Sequence, residues 1–418
     1  MDRLPGFRDF YPDPPPHPDL WSADARQYIF DNWRATARRY GFREYDGPPL
    51  EPLELFTIKS GGEIVGQLYN FTDKGQREIA LRPEMTPTLA RMVAAHERSY
   101  KKPMKWFALP QLFRYERQQK GRLREHFQLN ADIIGETDSA ADAELIALLI
   151  DILRFFKLTP EDFVIRLSSR NAWHEFFTTR KGDPANEYEF YQAIDKLDPN
   201  DLQPTAAKLL KIGFSIDDVT SFIEKAEPTA ELGSILANLS ARGLEPFVKV
   251  DYHVIRGLAY YTGVVFEAFD RKGEFRAIAG GGRYDNLLKL ISGGKVTLPA
   301  LGFGMGDVVL LELLKARGLL PDFSHTVAVF VIIEDEKLRP QSLQLVQTFR
   351  SNGLATEYSL TPAKPDKQFK RAQELKSNFV ARINPGDPRQ VLCKNLATRE
   401  EFNAAPSDVA SRLSLPKS

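Results

Sequence analysis

The chain has 418 residues, 56 acidic and 56 basic side chains and 43% hydrophobic residues, enough material for a large buried core and enough length for two or three domains. A formal net charge of zero argues against bulk attraction to nucleic acid, and the single cysteine, Cys393, excludes an intrachain disulfide or a thiolate metal cluster. No apolar run has the length of a signal peptide or membrane span, since the most apolar stretch, AELIALLIDILRFF, is interrupted by Asp151 and Arg154; a reduced, cytoplasmic setting without membrane contact is expected.

Taken in chain order, residues 22–40 carry the apolar spacing of a helix, and REYDGPPLEP after them reads as a strand closed by prolines. QLYNFTD, REIALRPE, KWFALPQLFRYE and EHFQLNADIIG follow as short strands and hairpins. Strands joined without intervening helices favour an antiparallel sheet. DSAADAELIALLIDILRFF is a helix with Thr137, Asp138 or Ser139 available to cap it. Residues 170–245 become helical and mostly polar, with helix-stopping glycines, and read as an insertion. Strand patterns return in FVKVDYHVIRGLAYYTGVVFEAFD and EFRAIAGGGRYDNLL, and GDVVLLELLKARG is a helix ending at Gly318. Beyond LLPDFSH, the strand TVAVFVII, a helix, ATEYSL, a second helix and FVARINP alternate as in a small α/β domain. The expected fold class is α+β.

One local excess of basic charge stands out in this neutral chain. Residues 101–125 hold eight basic and two acidic side chains, and RYERQQKGRLREHFQ places Arg114, Arg117, Lys120, Arg122 and Arg124 close together. Arg114 lies inside a strand pattern beside Phe113 and Tyr115, whereas the others surround Gly121. Guanidinium forks match phosphate oxygens, so one fixed arginine under a basic loop suits a nucleotide beneath a flexible polyanion. A solvated, charged hairpin is the other reading of the same residues.

FRYERQQKGRLREHFQ resembles motif 2 of class II aminoacyl-tRNA synthetases in the form found in the histidyl-tRNA synthetase family. Five more stretches resemble family motifs in the family's order: PGFRDFYP its N-terminal opening, LRPEMTPTLAR its amino-acid-binding strand, RGLAYYTGVVFE and GGGRYD its two histidine signatures, and PALGFGMG the start of motif 3. DKQFKRAQEL and VLCKNL are similar to its anticodon-binding module. The resemblance implies a class II antiparallel sheet flanked by helices in a catalytic core at 1–320, with the insertion at about 170–245 approaching the acceptor stem, and an anticodon-binding α/β domain at 325–418. It further implies ATP-dependent ligation of L-histidine to tRNA(His), with Mg2+ carried by ATP, no prosthetic group and no protein-held metal. A homodimer is expected, with the helix at 22–40 and the strand ending near Pro48 at its interface.

Residue by residue, the resemblance puts Arg114 and Arg256 in catalytic positions on the α-phosphate, and Arg114, Glu116, Arg122 and His126 around ATP. It puts Glu84, Thr86 and Gln128 at the histidine α-amino group, Asp132 and Tyr261 at the imidazole, Arg256 and Tyr260 beside them, and Gly280, Gly281, Gly282, Arg283 and Tyr284 in the pocket wall. Three positions depart from the family pattern: Ala259 stands where an aspartate is usual, His126 where an aromatic ring often stacks on adenine, and Val309 where an arginine holds the γ-phosphate. Arg117 or Arg122 is a candidate replacement for that arginine, and Asp307 at the same helix start is expected to repel phosphate. A non-catalytic relative, the histidine-sensing regulatory subunit of ATP phosphoribosyltransferase, is the alternative function. A generic single-strand RNA binder would explain the basic loop but not the pocket.

Overall fold

A computed structural model of the chain describes residues 2–17, 19–60, 62–115, 123–198, 200–255, 261–323 and 327–414. The chain divides into two compact units, Met1–Pro321 and Asp322–Ser418.

The first unit is built on a nine-stranded sheet: β1 (Arg43–Glu44), β2 (Met104–Ala108), β3 (Gln111–Phe113), β4 (Glu125–Ile134), β5 (Phe163–Ser169), β6 (Val248–Val250), β7 (Val264–Asp270), β8 (Ala279–Arg283) and β9 (Ala300–Gly306). Its order is β6-β5-β7-β8-β9-β4-β2-β1, with β3 paired to β4. The interior pairs are antiparallel, and only the two outermost pairs, β5–β6 and β1–β2, are parallel. REYDGPPLEP, expected as one strand, is split: Arg43–Glu44 joins the central sheet and Leu50–Pro52 joins a three-stranded sheet with Asn70–Thr72 and Glu78–Leu81. The corner between them is held by buried Arg82, whose guanidinium donates to Gly47 O at 2.7 Å, Asp46 Oδ1 at 3.0 Å and Gln111 O at 3.1 Å.

The helix Ala23–Arg39 starts where Ser22 Oγ accepts from Ala25 N at 3.0 Å, and it buries Ala25, Ile29, Trp33 and Ala37, one helical face at a spacing of four. Ala140–Phe155 is buried almost all round, from Leu145 through Leu153, which explains its nearly unbroken apolar run. Ser139 precedes it but makes no side-chain cap bond; the Asp138 carboxylate accepts from Ala140 N at 2.8 Å instead. No helix among the described residues is long and apolar enough to cross a membrane.

Between β5 and β6, the described residues form five α-helices, from Arg170–Thr179 to Ala230–Ala241. The sequence reads as polar there, yet the segment has an aromatic core: the Trp173 and Phe222 rings are 4.8 Å apart and those of Phe190 and Phe214 4.7 Å. A few large rings bury area that a count of apolar residues underrates.

The second unit carries a five-stranded sheet ordered Thr356–Tyr358, Val329–Val331, Phe379–Asn384, Asp387–Asn395 and Glu401–Ala404. The first three strands are parallel and the last two antiparallel. Arg339–Ser351 and Pro406–Ser414 pack on one face around Val331, Phe349 and Val409, and Pro365–Glu374 packs on the other around Phe330, Ile332 and Ala372. Cys393 is buried in this sheet, and burial pushes its thiol up to about 12.

Candidate active site

Side chains alternate across a strand, so in β4 Gln128, Asn130 and Asp132 share one face while Phe127 turns to the other, where its ring meets Phe10 and Phe30. The shared face lines a cavity of about 240 Å3 together with Glu84, Thr86, Arg114, Tyr261, Gly280 and Tyr284. Its base is made of glycines, Gly302, Gly304 and Gly306 of β9 beside Gly280 of β8. Gly302 is paired with Asp132 and Gly304 with Asn130. A Cβ on Gly302 would stand 2.7 Å from Asp132 Cγ, and one on Gly304 2.8 Å from Gln128 Cδ. Both polar side chains therefore lie across the neighbouring strand only because it lacks side chains there.

Asp132 is 2% exposed. Its Oδ1 accepts from Tyr284 Oη at 2.5 Å, and its Oδ2 has no partner among the described residues. Burial raises its carboxyl to about 7, against the opposing effect of the Tyr284 bond. Gln128 is held at both ends of its amide: Oε1 faces His126 Nε2 at 3.1 Å, and Nε2 donates to Asn130 Oδ1 at 3.2 Å. Burial and the nearby Arg114 hold the His126 imidazole down to about 4, so it is neutral at physiological pH. Arg114 is anchored through Nε to Pro83 O at 3.1 Å, and its peptide N–H donates to Arg124 O. The cavity thus has two carboxylates, Glu84 and Asp132, and one guanidinium among its lining groups. Such a set suits a ligand with an ammonium group, a further N–H donor and an anionic end.

At the start of the helix Asp307–Ala316, Arg8 is buried between two carboxylates: Nε donates to Glu125 Oε1 at 2.6 Å and Nη1 to Asp307 Oδ2 at 2.8 Å. Asp307 Oδ1 also accepts from Phe127 N at 3.0 Å. This arrangement corrects the expectation that Asp307 repels phosphate, because its charge is turned inward and neutralised by Arg8. Arg8, saturated by that pairing, is not a substitute for the absent arginine either. Val309 stands half-buried in the first turn of the same helix.

A family model described as histidyl-tRNA synthetase matches residues 19–307, and one described as an anticodon binding domain matches residues 326–414. The chain belongs to the histidyl-tRNA synthetase family. The histidine--tRNA ligase of Opitutus terrae is 44% identical, with 98% of this chain and 97% of that protein aligned, and that of Leptospira biflexa is 35% identical over 99% and 97%. Two solved histidyl-tRNA synthetases have the same fold: the Nostoc enzyme with a TM-score of 0.75 at 22% identity (93% of this chain, 94% of that one), and the apo Staphylococcus aureus enzyme with a TM-score of 0.75 at 23% identity (99% and 100%).

Of the residues singled out from the histidyl-tRNA synthetase motifs, Glu84, Thr86, Arg114, Gln128, Asp132, Tyr261, Gly280 and Tyr284 line one cavity. Glu116, Arg122, Arg256 and Tyr260 lie outside the described residues, as do Arg117 and Ala259. His126 reaches the cavity through Gln128. Arg283 does not belong to the wall: its guanidinium is paired with Asp142 and donates to Glu136 O at 2.8 Å, tying β8 to the first turn of the helix Ala140–Phe155. Gly281 and Gly282 are likewise absent from the lining. A Cβ on Gly281 would stand 2.6 Å from Phe303 Cβ, and one on Gly282 2.7 Å from Val264 O, so they are glycines because neighbouring strands crowd them. Sequence reasoning missed Asn130, Gly302 and Gly304. Strand parity from Gln128 and Asp132 signals the first, and the period-two glycines of ALGFGMG signal the others.

Proposed function

We propose that this chain activates L-histidine with ATP and transfers it to tRNA(His). The observation that carries this reading is one cavity that combines the buried acceptor Asp132, the fixed amide of Gln128, Glu84 and the guanidinium of Arg114 on a glycine base. Glu84, Thr86 and Gln128 receive the α-ammonium group, and Asp132 Oδ2, with Tyr261, receives the imidazole. A buried acceptor without a partner rejects a side chain of similar shape that lacks the N–H.

Arg114 then draws the histidine carboxylate and the α-phosphate of ATP together, with Arg256 as the second cation, and His126 meets the adenine ring. The carboxylate oxygen attacks the α-phosphorus, the bond to the bridging oxygen breaks, and pyrophosphate leaves. A terminal ribose hydroxyl of tRNA(His) attacks the acyl carbon of the adenylate and AMP departs with the bonding pair. Such transition states need positioning and charge cancellation more than acid–base groups. Mg2+ enters with ATP as part of the substrate, and the loop arginines Arg117 and Arg122 supply charge to its terminal phosphate and to tRNA. Residues 326–414 read the anticodon, and the chain acts as a cytoplasmic homodimer with the helix Ala23–Arg39 near its interface.

Histidine-dependent exchange of labelled pyrophosphate into ATP tests this reading. Exchange by the unmodified chain, and its loss on Arg114→Ala or Arg256→Ala, is expected. Histidine binding without exchange would instead favour the regulatory alternative, which the near full-length match to ligases and the matched anticodon domain disfavour.

A further inference from the structure

Asp132 receives the imidazole in the proposed reaction, whereas the Tyr284 phenol bonded to it has no assigned part. Tyr284 is 2% exposed and packed among Leu89, Val93, Met104, Ile134 and Leu287, and its peptide N–H donates to Ala300 O at 2.7 Å. Ring and backbone are therefore both fixed. Its phenol donates to Asp132 Oδ1 at 2.5 Å, and on the strand side the same carboxylate rests over Gly302. Oδ2, on this cavity-lining residue, is left as an acceptor without a partner among the described residues.

We propose that Tyr284 is the positioning residue for histidine selection: by occupying Oδ1 and holding Asp132 against Gly302, it presents a single acceptor, Oδ2, to the imidazole N–H. The inference rests on Asp132 being the imidazole partner. A carboxylate with both oxygens open in a dry cavity would take up a proton or pair with other donors. One that already accepts from a phenol holds its charge to lower pH than it otherwise would and keeps one direction of approach. Among the described residues, the titratable and charged groups around Asp132 are few. Tyr284 bonds it; Tyr45, a buried phenol with no partner among the described residues, lies close enough to sense its charge; Tyr261, Glu84 and Arg114 share the cavity. Its cross-strand neighbours, Trp106 and Gly302, carry no charge.

The test uses the full chain, with Tyr284→Phe and Asp132→Asn compared with the unmodified protein by pyrophosphate exchange at about pH 6.5 and about pH 8.5. The KM for histidine is taken as a ratio of variant to unmodified protein, so that ionisation of histidine itself cancels. For Tyr284→Phe this ratio is expected to rise about tenfold at the higher pH and further at the lower one, with a larger change in KM for histidine than in kcat. The pH trend follows because loss of the phenol lets the buried carboxylate hold its proton to higher pH. A ratio that stays near one, or is equal at both pH values, overturns the proposal. If Asp132→Asn leaves the KM for histidine unchanged, the reading of Asp132 itself falls; if only Tyr284→Phe is silent, the positioning role alone falls. Should Tyr284→Phe not fold, Gly302→Ala displaces the same carboxylate from the other side, and a pH-independent KM ratio there overturns the proposal equally.

Discussion

Gly302→Ala is the sharpest perturbation this cavity offers. An added Cβ would stand 2.7 Å from Asp132 Cγ and overlap Oδ1, the oxygen that accepts from Tyr284. Carbon atoms rest at about 3.5–4.0 Å, so the carboxylate must retreat by roughly 1 Å. That takes Oδ1 out of the position in which it accepts from Tyr284 Oη and spoils the hydrogen bond. A hydrogen bond to a charged group is worth about 1.5–3 kcal/mol, so histidine affinity is expected to fall by about 10–150-fold. The assay is KM for histidine in pyrophosphate exchange at saturating ATP, read beside KM for ATP and the melting temperature. A large rise in the first, with little change in the other two, is expected, because a side-chain end can yield where a backbone cannot. Gly281→Ala is the contrast. Its Cβ would meet Phe303 Cα at 2.7 Å and overlap Gly302 O, which is strand backbone, so the melting temperature should fall steeply. An unchanged KM for histidine in Gly302→Ala would refute the placement of histidine over β9.

Removing Arg8 with Arg8→Met strands two buried carboxylates, and urea unfolding should show a loss of about 3–5 kcal/mol at neutral pH. Burial already holds the Asp307 carboxyl above its ordinary range, and without the guanidinium that opposes this rise it goes higher; the stability tied to its protonated form is present below the unfolded carboxyl pKa and is lost as pH rises, so the deficit should be larger at about pH 8 than at about pH 4.5. His126 has its pKa lowered from 6.5 to about 4, so the stability tied to its neutral form is present above 6.5 and lost as pH falls toward 4. His126→Phe should therefore flatten the decline in melting temperature over that window. The same variant removes the partner of Gln128 Oε1 and should raise the KM for histidine severalfold in the exchange assay.

Much of the architecture could be read from pattern alone. The four-residue spacing of Ala25, Ile29, Trp33 and Ala37 marks a helix, and the parity of Gln128 and Asp132 puts both on one strand face. Other features depend on partners distant in sequence. Arg283 belongs to a signature rich in site residues, yet strand parity and the buried carboxylate of Asp142 turn it away from the cavity. Asp307 looks hostile to phosphate until Arg8, 299 positions earlier, is seen against it. REYDGPPLEP reads as one strand because nothing local shows that Arg82 holds a corner within it. The strand Phe163–Ser169 escaped notice altogether, because a short run buried on both faces except at Arg166 lacks the alternation that would mark it.

The pairing of β4 with β9 joins residues 132 and 302 at the centre of the sheet. During synthesis on the ribosome, the row Gln128, Asn130 and Asp132 must wait, with one strand edge uncovered, until the chain beyond Gly306 has emerged. Nucleation across so long a loop is slow, and an open edge of this kind invites off-pathway association. Nascent chains halted before residue 300 should therefore be held by chaperones or aggregate, and no shortened amino-terminal fragment ending there is expected to carry a working catalytic half.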